Sequence, residues 1–408
     1  MSVNEIVGQP PDSLGASEPE VATAHELQKR RTLAIVLYSI VVVLYWMAQY
    51  IYAASLPSYV QTKASSLAVV GMILSMYGLS QTVVRVPVGV CTDWLGWRKP
   101  FILAGLALAG LGAWILSASD SASGLMIGRA VTGIAAGAWV PLVVAFSSLF
   151  PHKDSVRAAG YLIALQAGGR IIASAANGPL NNFGGYKLAF YAAVAIAAIA
   201  LLIASIIHEP RRPSLRPSFS LISSLLIRRD VLLPSLLALL CQAVIWAVSL
   251  SFLPIVVKQV GGTDNTQGAL AALGVVMLAV GSFVVHSITS RIGPRLVVAL
   301  SFVLFFIGCI LAYMAHTVPT VFASQTCLGL ALGFTYPTLM GLSIRRVIES
   351  ERTIAMGIHQ TFYAMGMFVG PALSGMLAQS IGIYRMFAVT GVVALAIGYL
   401  GAQRLDNQ

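Results

Sequence analysis

The sequence predicts an all-α membrane protein: twelve transmembrane helices in two pseudo-symmetric six-helix bundles. Three observations predict it: the composition, the recurrence of apolar blocks and the placement of basic residues. Of 408 residues, 58% are hydrophobic and only 10% charged, against about a quarter charged in a soluble domain. A large core does not explain the deficit, because a soluble fold still needs a polar surface. Apolar blocks long enough to cross a bilayer recur from Leu33 to the last ten residues.

In order, the spans are expected at 33–57, 67–91, 99–118, 122–149, 157–180, 187–207, 231–257, 266–289, 294–315, 318–343, 353–380 and 383–403. Residues 1–32 are expected to form a disordered cytoplasmic tail, polar and with Pro10 and Pro11, without a cleavable signal peptide. Residues 33–207 form the first bundle, 208–230 a basic cytoplasmic linker, 231–403 the second bundle and 404–408 a short tail.

The net charge of +11 comes from 25 Lys and Arg against 14 Asp and Glu. Most basic residues lie in short turns between apolar blocks, so the charge signals topology and no nucleic-acid partner is expected. Loops predicted to lie inside carry 18 of them, the opposite loops only Lys63, Lys187, Lys258 and Arg385, and Arg85, Arg129 and Arg170 fall within spans. The asymmetry places both termini in the cytoplasm. The four cysteines, Cys91, Cys241, Cys309 and Cys327, lack metal-ligand spacing and are expected to be buried thiols.

Between spans two and three runs Gly89-Val90-Cys91-Thr92-Asp93-Trp94-Leu95-Gly96-Trp97-Arg98-Lys99. Gly89 permits close helix contact, Asp93 offers a carboxylate for charge-assisted hydrogen bonds, Gly96 permits the tight turn, and Arg98 and Lys99 anchor it. A worn copy follows span eight, with Ser290 at the aspartate place, then Arg291, Gly293 and Arg295. Span four begins Gly128-Arg129 and continues with Gly133 and Gly137, a close-packing face. Span eleven carries Gly366, Gly370, Pro371 and Gly375 in a Gly-x-x-x-Gly-Pro run.

The first loop resembles the signature loop of the major facilitator superfamily, with Gly89, Asp93, Gly96, Arg98 and Lys99 matching and Trp94 departing. The resemblance covers about 33 to 403 and is similar to bacterial twelve-helix efflux and proton-coupled members. It implies a conformational latch at this loop. With Ser290 at the acid's place in the second copy, an acid-dependent latch is expected in the first half only, Arg291 supplying the basic residue that Trp94 replaces. Arg85, one turn before Gly89, is placed to brace the loop. A role for Arg129 in coupling or cavity electrostatics is implied likewise. An Asn at Asp93 is then expected to slow conformational cycling more than it weakens equilibrium binding; transport kinetics beside binding assays check this. The span-eleven run resembles the glycine-proline motif of drug antiporters in span five. Pairing Tyr186-Lys187 with Tyr384-Arg385 puts Ile172-Ala173 at that place in span five itself.

Intramembrane charges are costly and generally face the bundle interior or water. Every Asp and Glu falls in a terminus, a loop or a helix end, so Arg129 and Arg170 predict a positive cavity for an anionic or zwitterionic solute. Arg85 either joins them or snorkels to the inner end. Tyr45, Gln49 and Tyr52 recur at helical spacing on span one, and Gln166, Gln242, Trp246 and Gln360 add polar and aromatic groups. These favour a mid-sized organic solute. His359 is either a proton-coupling group or a hydrogen-bonded packing histidine.

The expected function is secondary active export of such a solute by alternating access, driven by a proton gradient, with no cofactor or metal. The chain is expected to work as a monomer in a bacterial inner membrane. Uptake of an organic anion, or lysolipid flipping, remains an alternative. No serine elbow, phosphate loop or His-Glu metal motif points to an enzyme.

Overall fold

The computed structural model describes residues 18–151, 154–209 and 224–405, the side chains of 18–27, 93, 155, 156, 350 and 353 excepted. Among the described residues, eleven helices are long and apolar enough to cross a bilayer. One of these, Arg157–Ile206, is 50 residues long, about twice what one crossing needs. It breaks at Gly184 (φ −140°) and Gly185 (φ 69°, ψ 179°), which separates spans five and six and gives twelve crossings.

Span one belongs to helix Glu18–Tyr50, so helix replaces the expected tail from Glu18 onward, and residues 1–17 lie outside the described ones. The extension contains Ala22, Ala24, Glu26, Leu27 and Gln28, all good helix formers. The chain then turns into a short helix, Leu56–Lys63. Span two is Leu67–Leu95, capped by Ser66, whose Oγ accepts from the Val69 amide at 3.3 Å. Span three is Lys99–Ala118, and span four comprises Ala122–Ala136 and Trp139–Ser147.

In the second half, span seven begins as Arg229–Val244, widens into a π-helix at Ile245–Phe252 and finishes as Leu253–Gln259. Spans eight to twelve are Asp264–Ile292, Pro294–Tyr313, Val318–Arg345, Arg352–Ile381 and Ile383–Gln403. Linker residues 210–223 lie outside the described ones; beyond them Leu225 packs with Val231, Val347, Ala355 and Ile358 under the second half.

The halves repeat each other. Gly96 (φ 60°) and Gly293 (φ 81°) are 197 residues apart, as are Gly185 and Gly382 (φ 88°). In each pair the left-handed backbone that ends one span and starts the next needs a residue without Cβ. Aligned on these turns, Gly370-Pro371 falls on Ala173-Ser174, one residue from the Tyr186 and Tyr384 pairing. The turn after Gly382 holds one extra residue, Ile383.

Helix contacts obey the same two-fold: one with five and seven with eleven, two with four and eight with ten, three with six and nine with twelve. Spans three, six, nine and twelve present Trp114, Leu202, Leu300 and Leu400 outward, as apolar surface for lipid.

The halves meet where span two crosses span eleven and span five crosses span eight. Gly71 faces the Pro371 carbonyl, and a Cβ on Gly375 would stand 2.8 Å from the Gly71 Cα. The second crossing repeats this 197 residues away, with Gly268 facing the Ser174 carbonyl at 2.5 Å from a built Cβ. Polar contacts join the halves on the same side: Leu67 N to Gln379 Oε1 (3.0 Å), Gln267 Nε2 to Ser58 Oγ (2.6 Å) and Asn182 Nδ2 to Asn265 Oδ1 (3.2 Å). This is the face opposite the chain ends.

At the face bearing the chain ends the spans separate. A Cβ added to Gly160 or to Gly357, again 197 residues apart, would meet nothing within 4 Å. The polar contacts between the halves thus gather at one face, while both glycines near the other stand in open space.

Candidate functional site

Beneath the seal lies a cavity of about 40 Å³, lined among others by Gln49, Tyr50, Tyr77, Arg129, Trp246 and Ser251. Leu74, one turn from both Gly71 and Gly78, forms part of its wall, so cavity and seal share a helix. Both halves contribute: Tyr77 from span two stacks on Trp246 from span seven, with centroids 5.2 Å apart and planes at 17°. Arg129 places its Cζ 4.7 Å from the centroid of Tyr77. Guanidinium, phenol and indole therefore form one chain of contacts across the two-fold.

Arg129 is buried, and its Nε has no hydrogen-bond partner. Among the described residues it forms no ion pair. The ring face of Tyr77 offsets part of the cost of burying the charge.

Arg170 has a parallel setting. Its Cζ lies 4.4 Å from the centroid of Tyr50 and 6.0 Å from that of Trp46, and its Nε is buried without a partner. Tyr50 thus links Arg170 to the cavity that holds Arg129. Gln166, half-buried, sits one turn before Arg170 on span five.

The Tyr45, Gln49 and Tyr52 face turns mainly toward span four. Tyr45 donates its hydroxyl to the Ala135 carbonyl at 3.2 Å, and Gln49 Nε2 donates to the Thr132 carbonyl at 3.3 Å. Tyr52 packs on Phe190 at 4.9 Å. The Gln49 Oε1 remains buried and unpartnered, and the Tyr52 hydroxyl lies beside Arg129 and Thr132. Only Gln49 of the three lines the cavity. Span one unwinds just beyond Tyr50, and Asn177 of span five donates to the freed Ile51 carbonyl at 2.7 Å.

On span seven, Gln242 lies one turn before Trp246 and packs against Gly366 of span eleven, its Nε2 buried without a partner. Gly370 lies against the Ala243 carbonyl; on the other side Gly133 faces the Tyr77 carbonyl and Gly137 lies near Val84. The π-helix begins at Ile245 and so reorients the turn bearing Trp246. Gln360 donates to the Tyr336 hydroxyl at 3.3 Å.

His359 is fully buried between spans eleven and seven, away from the lining of the cavity. Its Nδ1 lies 3.3 Å from Ser235 Oγ, which donates its own proton to the Val231 carbonyl at 2.7 Å. That network assigns the imidazole proton to Nδ1, so Nε2 carries a lone pair and no partner.

At the signature loop, Lys99 donates its backbone amide to Glu209 Oε2 at 2.7 Å and its Nζ to the carbonyls of Ser205 and Ile207 at 2.6 and 2.7 Å. Arg98 lies 3.7 Å from Glu209 Oε1. The loop thus clasps the end of span six in its own half. The Asp93 side chain lies outside the described ones; Gly89 is open, with only Val140 at 4.0 Å from a built Cβ. Arg85 reaches Gln81 Oε1 at 3.5 Å and Arg291 is exposed. On the sealed face, Lys63 at 2.6 Å holds the Asp120 carboxyl below its usual range.

Tyr77, Tyr50 and Trp139 complete the aromatic surround. Tyr77 carries no sequence signal of its own, being one aromatic in an apolar run; its role arises from packing between Arg129 and Trp246. Trp139 stacks on Tyr45 at 6.3 Å and meets Trp46 edge-on at 5.1 Å. No group of three His, Cys, Asp or Glu suited to a metal occurs among the described residues.

Comparisons with known proteins agree with this geometry. The chain is 22% identical over 357 residues to an uncharacterised MFS-type transporter, MJ1560, of Methanocaldococcus jannaschii, covering 86% of this chain and 92% of the relative. It is 21% identical to the quinolone resistance protein NorA of Staphylococcus aureus (86% and 93%) and 23% identical to multidrug resistance protein 2 of Bacillus subtilis (83% and 87%). A bacterial homologue of the human lysosomal transporter Spinster, solved inward-facing and unoccupied, superposes with a TM-score of 0.78 at 14% identity (96% and 98%). The nucleoside transporter NupG gives 0.74 at 14% identity (91% and 100%). The family model described as Major Facilitator Superfamily matches residues 38–263 and 235–402. Twelve crossings related by a two-fold, a cavity lined from both halves and this match over most of the chain lead to one conclusion: the protein belongs to the Major Facilitator Superfamily.

Proposed function

We propose that this transporter exports a small organic anion or zwitterion in exchange for protons. The observation that carries the reading is the pair Arg129 and Arg170, each with a buried, unpartnered Nε against an aromatic face. Every carboxylate of the sequence falls at a terminus, a loop or a helix end. A solute carboxylate would satisfy the guanidinium donors with charge-assisted hydrogen bonds. Tyr50, Tyr77 and Trp246 would offer aromatic surface to an organic body. Two relatives named for drug resistance support export over uptake.

The basic face, by the positive-inside rule, is cytoplasmic. Its cleft then makes the structure inward-open, a state that receives an exported solute from the cytoplasm.

Thermal stabilisation by a metabolite library, followed by counterflow in proteoliposomes with imposed pH gradients, tests the reading. Anionic hits whose net efflux follows inward proton flow support it. Stabilisation by lipophilic cations alone would refute it.

The coupling group of the proposal is His359, buried in this inward-open form, whose free Nε2 can take a proton when the sealed face opens. His359→Gln is expected to abolish transport driven by a pH gradient while leaving solute exchange near the wild-type rate. Gradient-driven transport that survives in the variant would remove His359 from coupling.

A further inference from the structure

A second cavity, of about 360 Å³, opens at the basic face of the second half where spans seven, ten and twelve meet. Arg228, Arg229, Arg345, Arg346 and Arg404 surround it beside one acid, Asp230. Leu233, Pro234, Leu342 and Leu405 make its floor. We propose that it binds the phosphate headgroup of an anionic membrane lipid.

The first half supplies an internal control. In the second half Arg228 donates to the Arg346 carbonyl at 3.0 Å, tying the start of span seven to the end of span ten. In the first half Arg31 donates to the Leu149 carbonyl at 2.6 Å, tying span one to span four. Both donor and acceptor are displaced by 197 residues, the repeat of the turn glycines. One arginine per half therefore serves the fold.

That tie uses the side chain of none of Arg229, Arg345 and Arg404. Arg229, Arg345, Arg346 and Arg404 stand where the first half has Thr32, Ser148, Leu149 and Ile207. The same joint is built there without them. Arg228 also meets Asp230 at 2.6 Å and Glu351 at 3.8 Å, so the acids present act chiefly on the bracing arginine. Arg229, Arg345 and Arg404 are exposed around the cavity mouth.

The position selects a lipid as the source of the phosphate. The cavity lies at the ends of three spans, where headgroups stand. Apolar side chains facing outward on two of those spans, Leu236, Ile397 and Leu400, continue from it toward the bilayer interior. A soluble phosphate would gain nothing from that surface, whereas acyl chains would. Guanidinium groups match phosphate oxygens by paired hydrogen bonds.

The test uses the full chain in nanodiscs and native mass spectrometry. The probes are phosphatidylglycerol and phosphatidylcholine of equal chain length, with soluble glycerol phosphate as competitor. Wild type is expected to retain phosphatidylglycerol selectively, and R229Q/R345Q/R404Q to lose about tenfold or more of that retention. The charge-matched K29Q/R30Q/R291Q variant, on the same face, is expected to keep it. Equal loss in both variants would reduce the effect to surface charge and overturn the site. Equal displacement by millimolar glycerol phosphate would overturn the lipid as its occupant. Unchanged folding of both variants is read from their thermal transitions in the same nanodiscs.

Discussion

Replacing Arg129 with glutamine is expected to weaken binding of an anionic solute by ten- to a hundredfold without loss of thermal stability. The two effects part because of how the arginine is held. A hydrogen bond to a charged group contributes about 1.5–3 kcal/mol, and about 1.4 kcal/mol is a factor of ten in affinity. Arg129 forms no ion pair among the described residues, and its Nε has no hydrogen-bond partner. Removing it gives up a cation–π contact with Tyr77 and the neighbouring Tyr52 hydroxyl but also relieves the desolvation of a buried charge. An arginine kept for the fold would behave in the opposite way, with a lower melting temperature and an unchanged affinity. Titration calorimetry with any anionic hit, beside thermal unfolding of the empty variant, separates the two.

Valine at Gly71 is expected to drive the protein out of the state seen here. The Gly71 position faces the Pro371 carbonyl with no room for a methyl group, and Gly375 approaches it from the same helix. Overpacking costs about 1–3 kcal/mol, which is roughly a five- to hundredfold shift between two conformations of similar energy. The clash exists only while the distal face is sealed, so the variant should favour the form in which that face opens and the basic cleft closes. Spin labels at Gly160 and Gly357 report the change, since both sites face open space in the cleft. Their separation should shorten markedly in the variant. An unchanged distance distribution would mean that the two crossings do not form the gate.

Much of the architecture was legible because bilayer chemistry leaves few choices. Spans had to be long and apolar, and turns had to carry the basic residues. Outside span one, the helices of the structure begin and end within a few residues of the expected spans; span one ends at Tyr50, seven residues short of the expected 57. Glu18 marks one departure: polarity suggested a tail, whereas the residues after it are strong helix formers that extend span one.

The span-five register is another departure. Tyr186 and Tyr384 are similar in type, but the backbone two-fold is set by Gly185 and Gly382, where positive φ is required. The sequence of side chains slipped by one where the geometry did not.

The site was less legible than the fold. Arg129 and Arg170 stood out because charges within apolar spans are costly. Tyr45 and Gln49 shared their helical spacing, but the spacing could not say which neighbour the face would meet. The structure gives it to the carbonyls of Ala135 and Thr132. Tyr77 could not be picked out at all, since its partners come from spans four and seven. The excess of Arg345 and Arg404 became visible only once Arg31 and Leu149 had shown what the equivalent joint needs.

The account rests on an arginine site that selects negative charge. The most direct measurement is binding of one solute scaffold in three matched forms, a carboxylate, its amide and the corresponding amine, to wild type and to R129Q/R170Q. The account predicts that only the carboxylate binds wild type tightly and that the double variant loses this preference. Preference for the amine, or a carboxylate affinity that survives in R129Q/R170Q, would contradict it.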